Sequence, residues 1–490
     1  MLRSPAKVPV ARGSSARAGD GKSGQKERGG RLVVASNRVS VPTGRQAASA
    51  GGLAVGVQAA LRDHGGIWFG WSGELVTDPA ERQVRTVEKD GITYVLIDLT
   101  RTEHRAYYGG MANRTLWPLL HYRIDLTTCE HEWYRTYAAV NRLFAETLME
   151  RLRPEDRVWV QDFHLIPLGR ELRRLGFAGR LGFFLHVPFP PAQIFLTLPW
   201  HHELGQDLCA YDVAGFQTPT DRDHFVDYAR RELGAEVLAE DRFRREGRTI
   251  EVEAVPIGVD VREVERLTQS AEARRQRDAL QASLDGRALI IGVDRLDYSK
   301  GIVERLRGYL SLLADYPQHR RKVVLMQISA PSREDLPEYR DMRRTIERLV
   351  GHIVGRYAEA DWIPLRYLNR THSRRTLAGF YRLARVGLVT PLRDGLNLVA
   401  EEFVVAQDPN DPGVLVLSRF AGAAAYLDGA LVVNPYDVGA VAEALDRALT
   451  MTLEERQERH RRLLAAVRAN DVAAWRRRYL AALEGEHETS

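Results

Sequence analysis

The chain has 490 residues, 44% of them apolar and 28% charged, with a formal net charge of +5; this is an ordinary soluble composition in a chain too long for one core, so two domains are expected. The positive balance is local. Residues 1–30 carry seven Lys/Arg against Asp20 and Glu27, so the body from Arg31 onward is formally neutral and gives no electrostatic case for nucleic acid.

The first thirty residues, rich in Gly, Ser, Ala and basic side chains, have nothing to bury and read as a disordered basic tail without the apolar region of a secretory signal. Within it "GDGKSG" imitates the end of a phosphate-binding loop, but Ala16 stands where the first glycine belongs and no strand or helix flanks it. From Arg31 the pattern alternates between short apolar runs and amphipathic segments. "RLVVAS", "GIWFGW", "ITYVLIDL", "RVWVQD", "RLGFFLHV", "DVAGFQ" and "EVEAVPIGV" read as strands of a first unit. "ALIIGV", "KVVLMQIS", "DWIPLRYL", "VGLVTPL", "GVLVLS" and "ALVVNP" read as strands of a second. Continuous Val/Ile/Leu runs are those of parallel strands covered on both faces, so the fold class is α/β with two parallel sheets. The seam falls after "VPIGVDVREVERL": residues 31–262 form the first domain and 263–454 the second, with a helix over 455–485 packing back on the first.

Cys129 and Cys209 lack ligand spacing and read as reduced thiols of a cytoplasmic protein. No run approaches the ~20 apolar residues of a membrane helix. The pair Asp221 and Asp223 resembles a metal-diphosphate DxD, but helix capping and the first-turn dipole explain it more cheaply, and no metal site is expected.

Ligands of open parallel sheets bind where strands end at their carboxyl edge. There "ALIIGV" runs into "DRLDYSKG" and "VGLVTPL" into "RDGLNLVAEEF". Arg295 and Lys300 are cations suited to phosphate, or else plain surface charges. A helix starting near Asn397 presents open N–H groups to a second anion site, and the carboxylate of Glu402 suits a ribose. Together these describe a nucleoside diphosphate site. Gly51 and Gly52 allow a close backbone approach or simply tight packing. His164 and His186 end strands, where a structural histidine is the commoner reading. Trp71 and Trp117 are core aromatics or sugar-stacking ones.

At these residues the chain resembles a known family, the retaining trehalose-6-phosphate synthases. "RLVVASNR", "SAGGLAVG", "IWFGWSGE", "LWPLLHYR", "RLGFFLHVPFP", "DRLDYSKG", "TPLRDGLNLVAEEFVVAQ" and "GVLVLSRFAGAA" match its blocks in order across residues 31–480. The resemblance implies two Rossmann-like domains facing across a cleft, the GT-B arrangement. It implies glucose transfer from UDP-glucose to glucose 6-phosphate with retention, and no cofactor or metal. By motif position Arg295 and Lys300 would hold the donor diphosphate, and Glu402 the ribose. The backbone of Asn397, Leu398, Val399 and Ala400 would meet the phosphates, and Asp394 and His186 the transferred glucose, with Gly51 and Gly52 in a loop over the donor. His186, Arg295, Lys300 and Asp394 form the implied catalytic set. Arg38, Trp71, Tyr108, Trp117, Asp162 and Arg333 would form the acceptor pocket, with Tyr107 competing for the place of Tyr108. The motif residues offer no carboxylate nucleophile, so the resemblance implies front-face transfer assisted by the departing diphosphate. ADP- or GDP-glucose, a cyclitol acceptor, or a silent sugar-phosphate sensor are the competing readings, and a homo-oligomer is left open.

Overall fold

The computed structural model describes residues 30–42 and 52–485. Apart from Gly30, the basic tail lies outside them, as does Gly51. Ten strands form the first sheet: β1 (Leu32–Arg38), β2 (Gly66–Val76), β3 (Val84–Lys89), β4 (Ile92–Thr100), β5 (Arg157–Gln161), β6 (Leu181–Phe184), β7 (Val213–Phe216), β8 (Glu236–Ala239), β9 (Arg242–Arg245) and β10 (Arg248–Ala254). Six form the second: β11 (Ala288–Arg295), β12 (Val323–Ala330), β13 (Leu365–Leu368), β14 (Val386–Val389), β15 (Val414–Ser418) and β16 (Leu431–Val433).

The second sheet is wholly parallel, in the order β13-β12-β11-β14-β15-β16. Its strands are Val/Ile/Leu runs because helices cover both faces; each such side chain fully buried contributes roughly 1.5–3 kcal/mol. The first sheet, ordered β3-β4-β2-β1-β5-β6-β7-β10-β9-β8, is parallel at its centre and antiparallel at both edges. The parallel sheets expected from the sequence are thus found, with antiparallel pairing confined to the edge strands β3, β8 and β9. These are largely charged, exposed hairpin strands with no apolar run to announce them.

Chain order reverses between β1 and β5 in the first sheet and between β11 and β14 in the second. Such reversals leave a crevice at the strands' carboxyl ends, and Arg38, Asp162, Arg295 and Asp394 all stand at one of the two.

The helix expected over 455–485 is two helices, Leu453–Ala469 and Val472–Glu484, divided where Asp471 caps the second by accepting from Ala474 N. The former stays with the second sheet, where His460 Nε2 lies 3.0 Å from the Val404 carbonyl. Only the latter returns to the first, where Trp475 stacks 4.9 Å from Trp159 and Tyr479 donates to the Phe183 carbonyl at 2.9 Å. At the other crossing, the helix Val261–Thr268 already packs on helices of the second unit, so the chain changes sides slightly before residue 262.

Candidate active site

On the second sheet, β11 ends at Arg295 and the chain turns sharply through Asp297 to Gly301. Glycine is required at 301: φ is +62°, and a Cβ there would lie 2.3 Å from the Thr390 carbonyl oxygen. The turn is held from behind by Arg305, which is fully buried. Its guanidinium donates to Asp294 at 2.5 Å, Gln327 and Thr390 at 3.0 Å, and the Lys300 carbonyl at 3.3 Å. Acceptors spread over three strand ends leave the loop little freedom.

Lys300 Nζ contacts Asp394 Oδ2, and Asn397 Nδ2 donates to the same carboxylate oxygen at 3.0 Å. Asn397 sits in left-handed backbone (φ 81°) and starts the helix Leu398–Ala406, whose leading Leu398 and Val399 N–H groups come before the intrahelical ladder begins. His186, Arg295, Lys300, Asp394, Asn397, Leu398 and Val399 line one cavity of about 330 Å³, joined by Gln217, Ile257, Asp294 and Leu396. A helix N-terminus, two cations and a carboxylate around one cavity constitute an anion site with a hydroxyl acceptor beside it.

His186 closes the cavity from the first sheet. Its Nε2 lies 2.9 Å from Gln161 Oε1 and its Nδ1 3.4 Å from Gln217 Nε2, a pairing that fixes the neutral Nε2–H tautomer. Burial pushes its pKa down to about 3, so the imidazole stays uncharged. Its backbone N–H donates to Asp162 Oδ1 at 3.2 Å. Burial pushes the Asp162 carboxyl up to about 6 against two backbone donors and Arg295, and its φ of 73° is left-handed. Gln161 and Gln217, which sequence reasoning missed, follow the apolar runs of β5 and β7; that strand-end position was their only signal.

The second subsite is aromatic and basic. Arg38 lies over the Trp71 ring at 5.5 Å, and Trp71 is 6.5 Å from Tyr108. Tyr107 is fully buried, donating to Asn37 Oδ1 at 2.8 Å, whereas Tyr108 is partly exposed and stacks on His104 and His164. The segment His104–Leu116 is a π-helix, wider than an α-helix, and it turns the two neighbouring tyrosines to different surroundings. Trp117 follows directly, with Arg333 stacked at 4.2 Å and Arg295 at 5.5 Å from its ring. Arg333 donates to Asp297 Oδ2 at 3.0 Å, a fully buried carboxylate that sequence reasoning also missed. Missed too was His104, while His164, expected as a strand-end structural histidine, stacks on Tyr108 and is pushed down to about 3 by burial.

Two residues of the expected donor set, Ala400 and Glu402, are not among those lining this cavity. Ala400 is buried and its N–H is turned back to the Asn397 carbonyl at 3.2 Å. Gly52 opens the helix Gly52–His64, and Gly51 lies outside the described residues. Glu402 lines a small adjoining crevice with Arg374 and Tyr381, and burial raises its pKa. Its neighbour Glu401 is fully buried; it accepts from Val259 N at 2.8 Å and from the Tyr426 hydroxyl, and burial pushes it up to about 8.

Asp221 and Asp223 do not converge on a metal. Asp221 accepts from Phe189 N at 3.0 Å and Asp223 pairs with Arg222, while Thr218 is the helix cap. Among the described residues no group of three or more His, Cys, Asp or Glu could hold a metal ion, and no helix is long and apolar enough to cross a membrane.

Two facing α/β units with an anion site and a hydroxyl acceptor in the cleft between them define a glycosyltransferase of the GT-B class. The model of Glycosyltransferase family 20 matches residues 30–485, and the chain belongs to that family. A trehalose-6-phosphate synthase of Sinorhizobium fredii is 46% identical over 451 residues, 92% of this chain and 97% of the relative. The solved UDP-forming α,α-trehalose-phosphate synthase of Burkholderia vietnamiensis superposes with a TM-score of 0.89 at 47% identity, covering 94% of this chain and 99% of that one. That of Burkholderia xenovorans, solved in complex with glucose-6-phosphate, gives 0.88 at 46% identity, covering 93% and 100%.

Proposed function

We propose that the protein transfers glucose from UDP-glucose to glucose 6-phosphate with retention, releasing UDP and α,α-trehalose 6-phosphate. The observation that carries this reading is the position of Trp117, whose ring has both Arg295 of the anion site and Arg333 of the aromatic, basic subsite over it, at 5.5 and 4.2 Å. Two phosphate-reading arginines sharing one indole fit a donor diphosphate and an acceptor phosphate held at a fixed separation. In this reading residues 31–262 serve the acceptor and 263–454 the nucleotide sugar. Arg38 and Arg333 read the acceptor phosphate, Asp162 accepts its hydroxyls, and Trp71, Tyr108 and Trp117 wall the pocket. The two free cysteines fit a cytoplasmic protein.

Chemically, charge grows on the diphosphate as the glycosidic bond breaks. Preplaced donors stabilise that charge more than the ground state, and Arg295 and Lys300 are the donors in place. Lys300 is paired with Asp394. In this reading the ammonium meets the diphosphate and the carboxylate meets hydroxyls of the glucose. Neutral His186 borders the donor cavity without adding a charge that would compete for the phosphate. The departing diphosphate oxygen takes the proton of the attacking hydroxyl on the same face, so the reaction proceeds without a metal.

Incubation of the chain with glucose 6-phosphate and UDP-, ADP- or GDP-glucose, in the presence of chelator, tests this by NMR. An α,α-linked disaccharide phosphate from UDP-glucose is expected. Its absence with every donor would sink the reading, and dependence on added metal would remove the metal-free step.

A further inference from the structure

Asp297 has no solvent-exposed surface, yet four groups converge on its carboxylate. Oδ2 accepts from Arg333 Nη1 at 3.0 Å and from the Tyr339 hydroxyl at 2.9 Å. Oδ1 accepts from Ser299 N at 3.0 Å and, across the cleft, from Trp117 Nε1 at 3.4 Å. Tyr339 completes a triangle by also accepting from Arg333 Nη1 at 2.6 Å.

We propose that Asp297 is a positioning residue that aims Arg333 and Trp117 at the acceptor's phosphate, anchoring them on the loop that grips the donor. The proposal rests on the reading of Arg333 as a phosphate reader given above.

Position in the chain supplies the anchor. Asp297 lies between Arg295 and Lys300 in one rigid turn, so the segment whose cations serve the donor also fixes the arginine on the acceptor side. Charge argues the same way. A buried carboxylate beside a phosphate-binding arginine weakens the local positive potential, which no design for affinity alone would retain. It occupies only Nη1, however. Among the described residues Nε and Nη2 of Arg333 have no protein acceptor, so one edge of the guanidinium is locked and the other is presented. The lock also sustains the left-handed backbone at Arg333 (φ 49°), a conformation that persists only where neighbours determine it. Burial alone would raise the Asp297 carboxyl; Arg333 and Arg295 outweigh it and hold the group below the usual carboxylate range, so it stays charged.

The test is steady-state kinetics of Asp297→Asn in the full chain, with Tyr339→Phe as a milder variant that opens the same triangle. The expected result is a rise of about tenfold or more in KM for glucose 6-phosphate, with KM for UDP-glucose and calorimetric UDP affinity within about twofold of wild type. In an Arg333→Ala background Asp297→Asn should add less than about twofold, since it acts through that arginine. Equal rises in both KM values, or full additivity with Arg333→Ala, would overturn the proposal. Should Asp297→Asn not fold, Tyr339→Phe decides on the same criteria. A wild-type chain that makes no product takes down the functional reading and this inference together; an active wild type with donor-side losses in the variants removes this inference alone.

Discussion

Gly395 and His186 belong to opposite sides of the cleft, and a Cβ added at Gly395 would lie 2.1 Å from the His186 carbonyl oxygen. The "RDGLN" turn and the end of the histidine strand therefore meet backbone to backbone, with no room for a methyl group. Gly395→Ala must force the two apart by part of an ångström or more. Displacements of that size typically cost about 10²-fold, so kcat/KM should fall on that scale while the melting temperature changes little. Activity within about threefold of wild type would show that the seam yields without consequence for the chemistry.

Lys300→Ala removes a donor aimed at developing charge and leaves Asp394 without its cation. We expect kcat to fall by about 10²-fold or more, the usual scale for such a group. A rise confined to KM for the nucleotide sugar would mean that Lys300 holds ground state and transition state alike.

Glu401 supplies a pH signature in stability. Its folded pKa is raised to about 8, above the ordinary glutamate value of 4.5. The folded state therefore binds the proton more tightly, and the wild-type stability contribution is lost as pH rises from about 4.5 through about 8. Relative to Glu401→Gln, wild type should lose up to ~1.4 kcal/mol per pH unit inside that window. Parallel denaturation curves for the two proteins from pH 5 to 8 would place the titration elsewhere.

Trp475 is fully buried against Trp159, with Phe184 at 5.3 Å and His186 at 6.0 Å from its ring. Trp475→Ala should cost about 3–5 kcal/mol in chemical denaturation, the range for a buried aromatic whose site collapses only in part. Because the indole also backs His186, activity should drop under conditions where the variant remains folded. Full activity there would separate the helix from the site.

Strand ends were the legible part of this molecule. "ALIIGV" and "VGLVTPL" are readable as buried parallel strands because helices cover both faces, and the polar residues that follow such runs point into the cleft. Glu401 and Glu402 show the limit of that reasoning: the apolar period places both near the helix start but does not say which meets the linker at Val259. Tyr107 and Tyr108 could not be separated, because the answer depends on a π-helix that no local pattern announces. Asp297 escaped notice for another reason. Its partners Arg333, Tyr339 and Trp117 are 36, 42 and 180 residues distant, and only the folded chain brings them together. The break at Asn470–Asp471 was readable as a helix cap, and the amphipathic run on either side hid it.

The helix Val472–Glu484 completes the aromatic layer of the first sheet only after every strand of the second has been made. During synthesis the first unit must therefore wait, with Trp159 and Phe184 uncovered, until that helix leaves the ribosome. The first half is therefore not an independent folding unit in the order of translation, and a chain halted near residue 450 should present a sticky aromatic face to chaperones rather than a finished domain.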